Sequence, residues 1–532
     1  MLEAALHYAR FAWGLRQVVR YPFPPDPEAV IRDQLRTRQT RFLEHLRRVA
    51  AARPQHPVNR LLLEAGCEPG DVEHLVAREG LEAALEKLRA SGVWVSHEEF
   101  KGRKPLVRGG REIPASPAEF LNPFVEGAWP ERTSGSTGRP VSVPMSLPHM
   151  AYAECWRTLA FREYGVAQRR WHALTPVLPT LTGFTRPIWA QKTGFQVDQW
   201  HATLADRRGS WPYRLATTAL RGYLSWADAP VPELTWIRQN DFSPVARAIA
   251  KDRERGVRGF VTGITSPCVR VAASAVEHGL DISGTRFWTG GEGLSAAKAE
   301  TFHRAGAEVF ASYGAREFGI LLYSCPHYEG ANTVHLCRDA VAVIAQRRPA
   351  PWAGGEVNSL MFTVLLPSAP FFVVNLELGD HGLIEKADCG CGFSQLGFDT
   401  VISGIYSYTK LTGHGATLFG ADIVPILEQA LPARFGGGPT DYQLAELEAG
   451  TQTRFVLRVN PRIGNVPAQE IRGYFLEQVG KLFAGPFFVW MWNNADAVTV
   501  AAEPPVAGAT GKILPLMVLG RGQSVRREAM RV

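Results

Sequence analysis

Hydrophobic residues recur with helical spacing through the first hundred residues of the chain. Segments 26–50 and 71–92 predict helices, and in the second one Leu81, Leu85 and Leu88 fall on a single face. A face of this kind is normally buried against another element. The first part of the chain is therefore expected to be mostly helical.

After about residue 130 the pattern changes to short apolar runs that alternate with amphipathic segments. The runs GFVTGI, AEVFASYG and SLMFTVLLP have the composition of strands, whereas SAAKAETFHRAG has helical spacing. This alternation is typical of a layered α/β domain.

A smaller unit follows past about residue 408. It contains a predicted helix near DIVPILEQAL, a strand at RFVLRVN, a helix through Phe475, Val479 and Leu482, and strands at PFFVWMW and AVTVAAE. This order of elements predicts a separate α+β domain.

The predicted fold class is therefore α/β, with a large layered α/β N-terminal body and a smaller, mobile α+β C-terminal lid domain. Residues 1–125 would form a helical N-terminal segment of the large domain, residues 126–408 its core, and residues 409–532 the lid. The stretch LTGHGATLFG lies near the junction, and its glycines give the backbone freedom that suits a hinge.

Composition narrows the class of protein. The 532 residues are 45% hydrophobic and 20% charged, which is ordinary for a globular enzyme. A net charge of +7 over this length is a weak argument for a nucleic-acid partner, and none is expected. Charged residues interrupt the apolar N-terminus, so no membrane span is expected there. The seven cysteines are an odd number, which favours a reducing, cytoplasmic location.

The sharpest local signal is a run of hydroxyls and glycines at 133–140. Glycines let a backbone approach phosphate with its N–H groups turned inward, and hydroxyls add hydrogen bonds. The sequence lacks the GK[ST] of a Walker loop. A phosphate loop and a polar hairpin turn both remain open for this run. Its candidate ligand-binding residues are Ser134, Gly135, Ser136, Thr137 and Gly138.

This run resembles the phosphate loop of the acyl-adenylate-forming (AMP-dependent synthetase/ligase) superfamily. Further segments resemble motifs of that family in the same order along the chain. They are Gly290-Gly291-Glu292 (adenine-binding turn), Ser312-Tyr313-Gly314-Ala315-Arg316-Glu317 (YGxTE), Leu378-Gly379-Asp380 (ribose-binding TGD) and Thr510-Gly511-Lys512-Ile513 (lysine motif). The text around CPHYEG, DCGCG and GATLFGADI looks most like the phenylacetate-CoA ligase branch. The resemblance covers roughly residues 130 to 515.

The resemblance implies an ATP-dependent activation of a carboxylic acid to an acyl-AMP. Lys512 would meet the charge on the α-phosphate and on the substrate carboxylate, and Glu317 would hold Mg²⁺. Tyr313 would cover the adenine and Asp380 would accept the ribose hydroxyls, a task suited to an acceptor-only carboxylate. Without the ordered set of motifs, a solvated lysine, a solvated aspartate, a core tyrosine and a paired glutamate would be the favoured interpretation.

Two features depart from the family pattern. Arg316 stands where the family has threonine, and it would grip phosphate or a second acidic group on the substrate, or pair with a surface carboxylate. The segment Gly404-Ile405-Tyr406-Ser407-Tyr408 lacks the arginine and aspartates of the family's hinge. This departure weakens the expectation that the lid swings on the usual hinge, and with it the expectation of a second, thioester-forming half-reaction. Lys410 is either a substitute charge near the ribose or a solvated lysine.

A possible metal site is separate from this chemistry. Cys325, His327 and His335 lie near one another in sequence, and Cys389 and Cys391 form a second cluster. Four such ligands with no open position would make a structural zinc site. Reduced core cysteines are the alternative.

The function expected from the sequence is activation of a carboxylic acid, aryl or arylacetic by resemblance, followed by thioester formation with CoA. The implied cofactors are ATP, Mg²⁺, CoA and a structural Zn²⁺. One alternative transfers the acyl group to a carrier protein or an amine. An alternative of another class is a nucleotide-binding protein without turnover.

Overall fold

The computed structural model describes most of the chain. The described residues are 2–132, 142–175, 181–204, 211–238, 241–315, 317–319, 321–327, 332–349, 356–407, 420–449, 452–465, 467–482, 489, 492–493, 498–508 and 511–519. The described residues up to 407 are called the body below, and those from 420 onward the C-terminal domain.

The helices concentrate at the start of the chain and between the strands of the body. They are α1 (Leu2–Arg20), α2 (Pro27–Arg36), α3 (Arg38–Ala52), α4 (Pro57–Glu64), α5 (Pro69–Glu79), α6 (Leu81–Ala90), α7 (His97–Phe100), α8 (Leu147–Glu163), α9 (Thr182–Lys192), α10 (Trp211–Trp226), α11 (Ser243–Glu254), α12 (Thr265–Glu277), α13 (Ala296–Arg304), α14 (Gly392–Gln395), α15 (Gly420–Pro425), α16 (Leu431–Phe435) and α17 (Ala468–Gly480). A π-helical turn, Ile426–Ala430, joins α15 to α16.

The strands form one large sheet in the body and a small sheet in the C-terminal domain. They are β1 (Leu106–Arg108), β2 (Arg111–Ile113), β3 (Pro130–Arg132), β4 (Ser142–Pro144), β5 (Arg169–Leu174), β6 (Gln199–Leu204), β7 (Leu234–Arg238), β8 (Arg258–Ile264), β9 (Arg286–Gly290), β10 (Glu308–Gly314), β11 (Leu321–Tyr323), β12 (Val334–His335), β13 (Val341–Pro349), β14 (Glu356–Val364), β15 (Leu376–Lys386), β16 (Thr400–Ser407), β17 (Tyr442–Ala449), β18 (Gln452–Val459), β19 (Val498–Ala501) and β20 (Leu516–Leu519).

The large sheet has the strand order β13-β14-β15-β16-β12-β11-β10-β9-β8-β5-β6-β7. Its half from β10 to β7 is parallel, and the other half is antiparallel. Helices connect the parallel strands, as this topology requires. The predicted layered α/β body is confirmed.

Helices α2 to α7 of the N-terminal segment share the core of the large sheet, and α6 and α7 pack on its antiparallel half. Helix α1 instead packs against α9 and α10 in a separate hydrophobic cluster. Asn375 ties the N-terminal segment to the sheet, because its buried side-chain amide donates to the backbone carbonyls of Leu85 and Val93 at 2.9 and 3.0 Å. The predicted helices are present, and the leucines expected on one face are buried. Each predicted segment is split in two, at Thr37 and at Gly80. Glycine is a poor helix former, and here it separates two short helices.

The C-terminal domain has a four-stranded sheet in the order β19-β18-β17-β20 and a hydrophobic core of its own. The prediction of a smaller α+β unit is confirmed. The prediction of a strand at PFFVWMW is wrong for its described members, because Val489 and Trp492 are helical. Trp492 packs against Phe455 and Phe475, and periodicity cannot tell such a short buried run from a strand.

In the part of the chain that the structure describes, no helix joins sufficient length to sufficient apolarity to cross a membrane.

Candidate active site

Two of the predicted nucleotide motifs lie at the carboxyl ends of neighbouring parallel strands, where open α/β sheets bind ligands. Strand β9 ends at Gly290 and β10 ends at Gly314, and the sheet register pairs Gly290 with Ser312. A Cβ added at Gly290 would lie 2.3 Å from Ser312 Oγ. Glycine is therefore required at this turn by the close approach of the next strand.

Tyr313 and Asp380 are in direct contact. The Tyr313 hydroxyl donates a hydrogen bond to Asp380 Oδ2 at 2.7 Å, and the Tyr313 ring stacks on Phe362 at 5.9 Å between centroids. Burial, with the nearby Asp380 charge, raises the pKa of Tyr313 well above its usual value, so the phenol stays a donor. Two residues predicted to hold the adenine and the ribose thus form one surface.

Glu292 binds the backbone that carries Lys512. Its Oε1 accepts a hydrogen bond from Ile513 N at 3.1 Å. Ser266 Oγ donates to the Glu292 carboxylate and lies 3.3 Å from Ile513 O. Burial raises the pKa of Glu292, while the positive charges of Lys298 and Lys512 oppose this rise. The predicted lysine motif and the predicted adenine-binding turn therefore meet.

Gly511 allows this close docking of the lysine motif. Its φ of +81° lies in the left-handed region, and an added Cβ would approach Pro267 Cγ to 3.0 Å. Lys512 follows directly and is partly buried. Its backbone is held against the body on both sides, by Gly511 before it and by Ile513 after it.

A buried ion pair lies beside this docking point and was not predicted from the sequence. Lys298 Nζ lies 2.9 Å from Glu428 Oε1, and the two side chains are 3% and 1% exposed. Ser295 Oγ also donates to Glu428, and Lys298 Nζ is 3.8 Å from Glu292 Oε2. The pair therefore connects helix α13 of the body to the π-helical turn of the C-terminal domain. The only sequence signal was Glu428, a charge within the otherwise apolar run IVPILEQAL.

Glu317, the predicted magnesium ligand, forms an ion pair with Lys101. The distance between Lys101 Nζ and Glu317 Oε1 is 2.7 Å, and both side chains are about nine-tenths buried. Lys101 follows helix α7 in the helical N-terminal segment. That segment had no predicted role in the site, and no motif in it indicated this contact.

Several predicted site residues lie outside the described part of the chain. They are Ser134, Gly135, Ser136, Thr137 and Gly138 of the phosphate loop, together with Arg316, Lys410 and Thr510.

The predicted metal ligands form a compact group of three cysteines and one histidine. Cys325, His335, Cys389 and Cys391 offer ligand atoms that all lie within 4.8 Å of one another. His335 Nε2 is 3.5 Å from the Sγ atoms of both Cys389 and Cys391. Of the two histidines considered from the sequence, His327 is exposed and outside this group.

The orientation of His335 suits metal binding. Its Nδ1 donates to the carbonyl oxygen of Phe398 at 2.8 Å, so the lone pair of Nε2 faces the sulfur atoms. A hydrogen bond from Cys325, with help from His335, lowers the pKa of Cys391, whereas the same bond raises the pKa of Cys325 and burial raises that of Cys389. A thiolate is the form of cysteine that binds zinc.

Comparison with known proteins found likeness in three-dimensional structure. No protein-family model matches the chain, and no curated protein matches it. The chain is similar to a 2-hydroxyisobutyryl-CoA ligase solved with 2-HIB-AMP and CoA, with a TM-score of 0.43 and 16% identity over 91% of this chain and 88% of that one. It is similar to McyG A-PCP complexed with phenylalanyl-adenylate, with a TM-score of 0.41 and 13% identity over 82% and 73% of the two chains. It is also similar to O-succinylbenzoate coenzyme A synthetase from Bacillus subtilis, with a TM-score of 0.30 and 14% identity over 73% and 67%.

Proposed function

We propose that this protein is an adenylate-forming ligase of the acyl-adenylate-forming superfamily. It would use ATP to convert a carboxylic acid into an acyl-AMP with release of pyrophosphate, and then form a thioester with CoA. The observation that carries the proposal is that hydrogen bonds and strand pairing link four motifs that are distant in sequence. Gly290, Tyr313, Asp380 and Lys512 belong to these motifs, and contacts link them in two pairs.

The Tyr313 and Asp380 surface would bind the nucleoside. A ribose presents two hydroxyl donors, and the Asp380 carboxylate has acceptor capacity beyond the single bond from Tyr313. The Tyr313 ring, held in place by that bond and by Phe362, would offer a flat apolar face to the adenine.

Lys512 would act on the developing charge. In the first step a carboxylate oxygen of the substrate attacks the α-phosphorus, a new C–O–P linkage forms, and the bond to pyrophosphate breaks. Negative charge grows on the phosphoryl oxygens as this happens. The ammonium group of Lys512, on a backbone fixed by Glu292, would stabilise that charge without having to be brought in from solvent. The loop at 133–140 and Arg316 would complete the phosphate contacts.

Glu317 fits a magnesium site by its chemistry, because Mg²⁺ prefers carboxylate oxygens and substrate phosphates. Magnesium bound there would neutralise charge on the departing pyrophosphate. Lys101 occupies one oxygen of Glu317 in this structure and is a cation in its own right.

The group formed by Cys325, His335, Cys389 and Cys391 fits a structural zinc site. It supplies four ligands, its histidine is oriented by a backbone carbonyl, and three of its four members are buried. A closed set of four would stabilise the fold and would take no part in adenylation.

The acid substrate is proposed to be an aryl or arylacetic acid, following the resemblance to the phenylacetate-CoA ligase branch. Aromatic side chains near the turn at Gly290 support this proposal. Trp288 stacks on Tyr323 at 5.8 Å and contacts Phe161 edge-on at 5.4 Å, two residues before Gly290 on strand β9.

An ATP–pyrophosphate exchange screen over a panel of aryl, arylacetic and aliphatic acids tests the proposal. We expect at least one acid to support exchange that depends on both acid and Mg²⁺. ATP binding without exchange for any acid would instead favour a nucleotide-binding protein without turnover. For an active acid, mass spectrometry with CoA, a carrier protein or an amine identifies the acceptor.

A further inference from the structure

Two buried arginines lie against the same tryptophan. Helix α8 carries Arg157 and helix α9 carries Arg186, and their Cζ atoms lie 5.8 and 5.2 Å from the centroid of the Trp288 ring. Trp288 is 5% exposed and Arg157 is 8% exposed, while Arg186 is partly buried. Both guanidinium groups are therefore largely removed from water, close to one apolar surface.

The charges in this cluster do not balance among the described residues. Glu154, one helical turn before Arg157, is the only described carboxylate that forms an ion pair with either arginine. Tyr323 interacts with Arg157 as a neutral phenol. Burial lowers the pKa of Arg157 to about 9 and that of Arg186 to about 10, as expected for cations short of counter-charge. Among the described side chains, one positive charge of the cluster is left over.

The unsatisfied atoms of the cluster are all donors. Arg157 Nε, Arg186 Nη1 and the Trp288 indole Nε1 are buried and have no hydrogen-bond acceptor among the described residues. A buried donor without an acceptor costs about 1–3 kcal/mol, so such atoms call for a partner. A group with several acceptor oxygens and a negative charge has the chemistry to accept from such donors and to balance the excess charge.

The cluster lies within reach of the proposed reaction centre. Trp288 and Gly290 are two residues apart on strand β9 and therefore face the same side of the sheet, about 7 Å apart along the strand. This is the length of a short acyl chain or of one aromatic ring with its substituents.

We propose that Arg157, Arg186 and Trp288 bind a second anionic group at the far end of the acid substrate. A carboxylate, sulfonate or phosphonate has the required chemistry. The proposal rests on the adenylate-forming function proposed above and narrows its substrate to acids with two anionic groups. Arg157 and Arg186 would be specificity-determining residues, because a neutral acyl chain would leave their donors and charge unsatisfied.

Matched pairs of acids that differ only in the remote group provide the test. Phenylacetate with 4-carboxyphenylacetate, and hexanoate with adipate, are two such pairs. In ATP–pyrophosphate exchange we expect kcat/KM to favour the dianionic member at least about 10-fold, as charge-assisted hydrogen bonds imply. Arg186→Gln should abolish the preference and Arg186→Lys should restore part of it. Arg162→Gln, on the exposed side of α8, is the matched control and should keep the preference.

Calorimetric titration of adipate into the ATP-free protein separates this proposal from the proposed function. Exchange that is equal or better with the neutral-ended acids would overturn the second-anion site and leave the ligase function standing. Adipate binding that Arg186→Gln abolishes, with no exchange for any acid, would support the site and overturn the function. Absence of both would overturn both. If Arg186→Gln does not fold, the wild-type preference and the Arg186→Lys variant decide.

Discussion

The position of Lys512 depends on its neighbours along the chain. Ile513 N is bound by Glu292 and Gly511 packs against Pro267, so the backbone on both sides of the lysine is fixed to the body. A cation on a fixed backbone loses little orientation on reaching the transition state, which is the condition for strong electrostatic stabilisation.

We expect Lys512→Ala to lower the rate of ATP–pyrophosphate exchange at least about 100-fold, the loss typical of removing one donor aimed at developing charge. Equilibrium ATP binding should change little, because the effect belongs to the transition state. Lys481→Ala is the control, since Lys481 is an exposed lysine of the same domain. Near wild-type exchange by Lys512→Ala would show that the lysine takes no part in the reaction.

Asp380 should act on nucleotide binding in ground and transition states alike. Asp380→Ala is expected to raise the KM for ATP about 10-fold with a smaller change in kcat, because it removes acceptors for the ribose. Tyr313→Phe deletes only the 2.7 Å hydrogen bond to Asp380 and should have a weaker effect on KM. An unchanged KM in Asp380→Ala would show that this carboxylate does not contact the nucleotide.

Lys101 forms an ion pair with Glu317 and would therefore compete with Mg²⁺ for the same carboxylate. If Glu317 binds Mg²⁺, Lys101→Met should lower the Mg²⁺ concentration that gives half-maximal exchange, since a competing positive charge is gone. Lys104→Met, at an exposed lysine three residues away, serves as the control. An unaltered Mg²⁺ dependence in Lys101→Met would argue against Glu317 as the metal ligand.

The group of three cysteines and His335 joins elements of the fold that are distant in sequence. Cys325 follows β11, His335 ends β12, and Cys389 and Cys391 precede α14. In the described residues the cysteines are free thiols, so the connection depends on a ligand or on packing alone.

We expect about one zinc per chain in protein purified without chelator. Cys389→Ser/Cys391→Ser should lose the zinc and melt at a lower temperature, because a structural site contributes its binding free energy to folding. Cys67→Ser, outside the group, should keep the metal. Metal analysis that finds no zinc in the wild-type protein would show that these residues are ordinary core cysteines.

Elements with strong periodicity were predictable from the sequence, and the contacts between motifs were not. The strands β8, β10 and β14 and the helix α13 fall close to where their apolar spacing predicted them. The break at Gly80 and the helical state of Trp492 were missed, because short-range pattern does not fix where a helix stops or what a buried run packs against. Resemblance identified Lys512. Only the folded chain shows that Glu292 accepts a hydrogen bond from the neighbouring Ile513 amide and that Lys101 pairs with Glu317.

The C-terminal domain is docked on the body through charged and polar contacts. Besides the buried pair of Lys298 and Glu428, Arg462 lies 2.7 Å from Glu277 of the body while also pairing with Asp441 of its own domain. Removing one partner of a buried ion pair is costly, whereas an exposed pair contributes about 0–1 kcal/mol. The exposed contact is therefore the one that can be weakened without unfolding the junction.

This docking bears on the proposed second half-reaction, in which the CoA thiolate would attack the acyl carbon and AMP would leave. We expect added CoA to convert slow, product-limited release of AMP into steady turnover with an acyl-CoA product. The segment Gly404-Ile405-Tyr406-Ser407 is a strand paired with β15 and carries no ionisable hinge pair, so rearrangement would fall to the chain beyond it. The contacts at the junction then set how readily the domain leaves its present position.

Glu277→Gln tests this expectation because it removes the body's charge from the exposed contact with Arg462 and leaves the buried pair intact. If the domain must leave this docked position for thioester formation, the variant should raise the CoA-dependent rate relative to the exchange rate, by up to about 5-fold for an exposed ion pair. Glu300→Gln, an exposed glutamate of the body, should leave the ratio unchanged. Quenched mixtures analysed by mass spectrometry give both products. Acyl-AMP without acyl-CoA at saturating CoA, with an acid that supports exchange, would contradict the CoA proposal and favour a carrier protein or an amine as the acceptor.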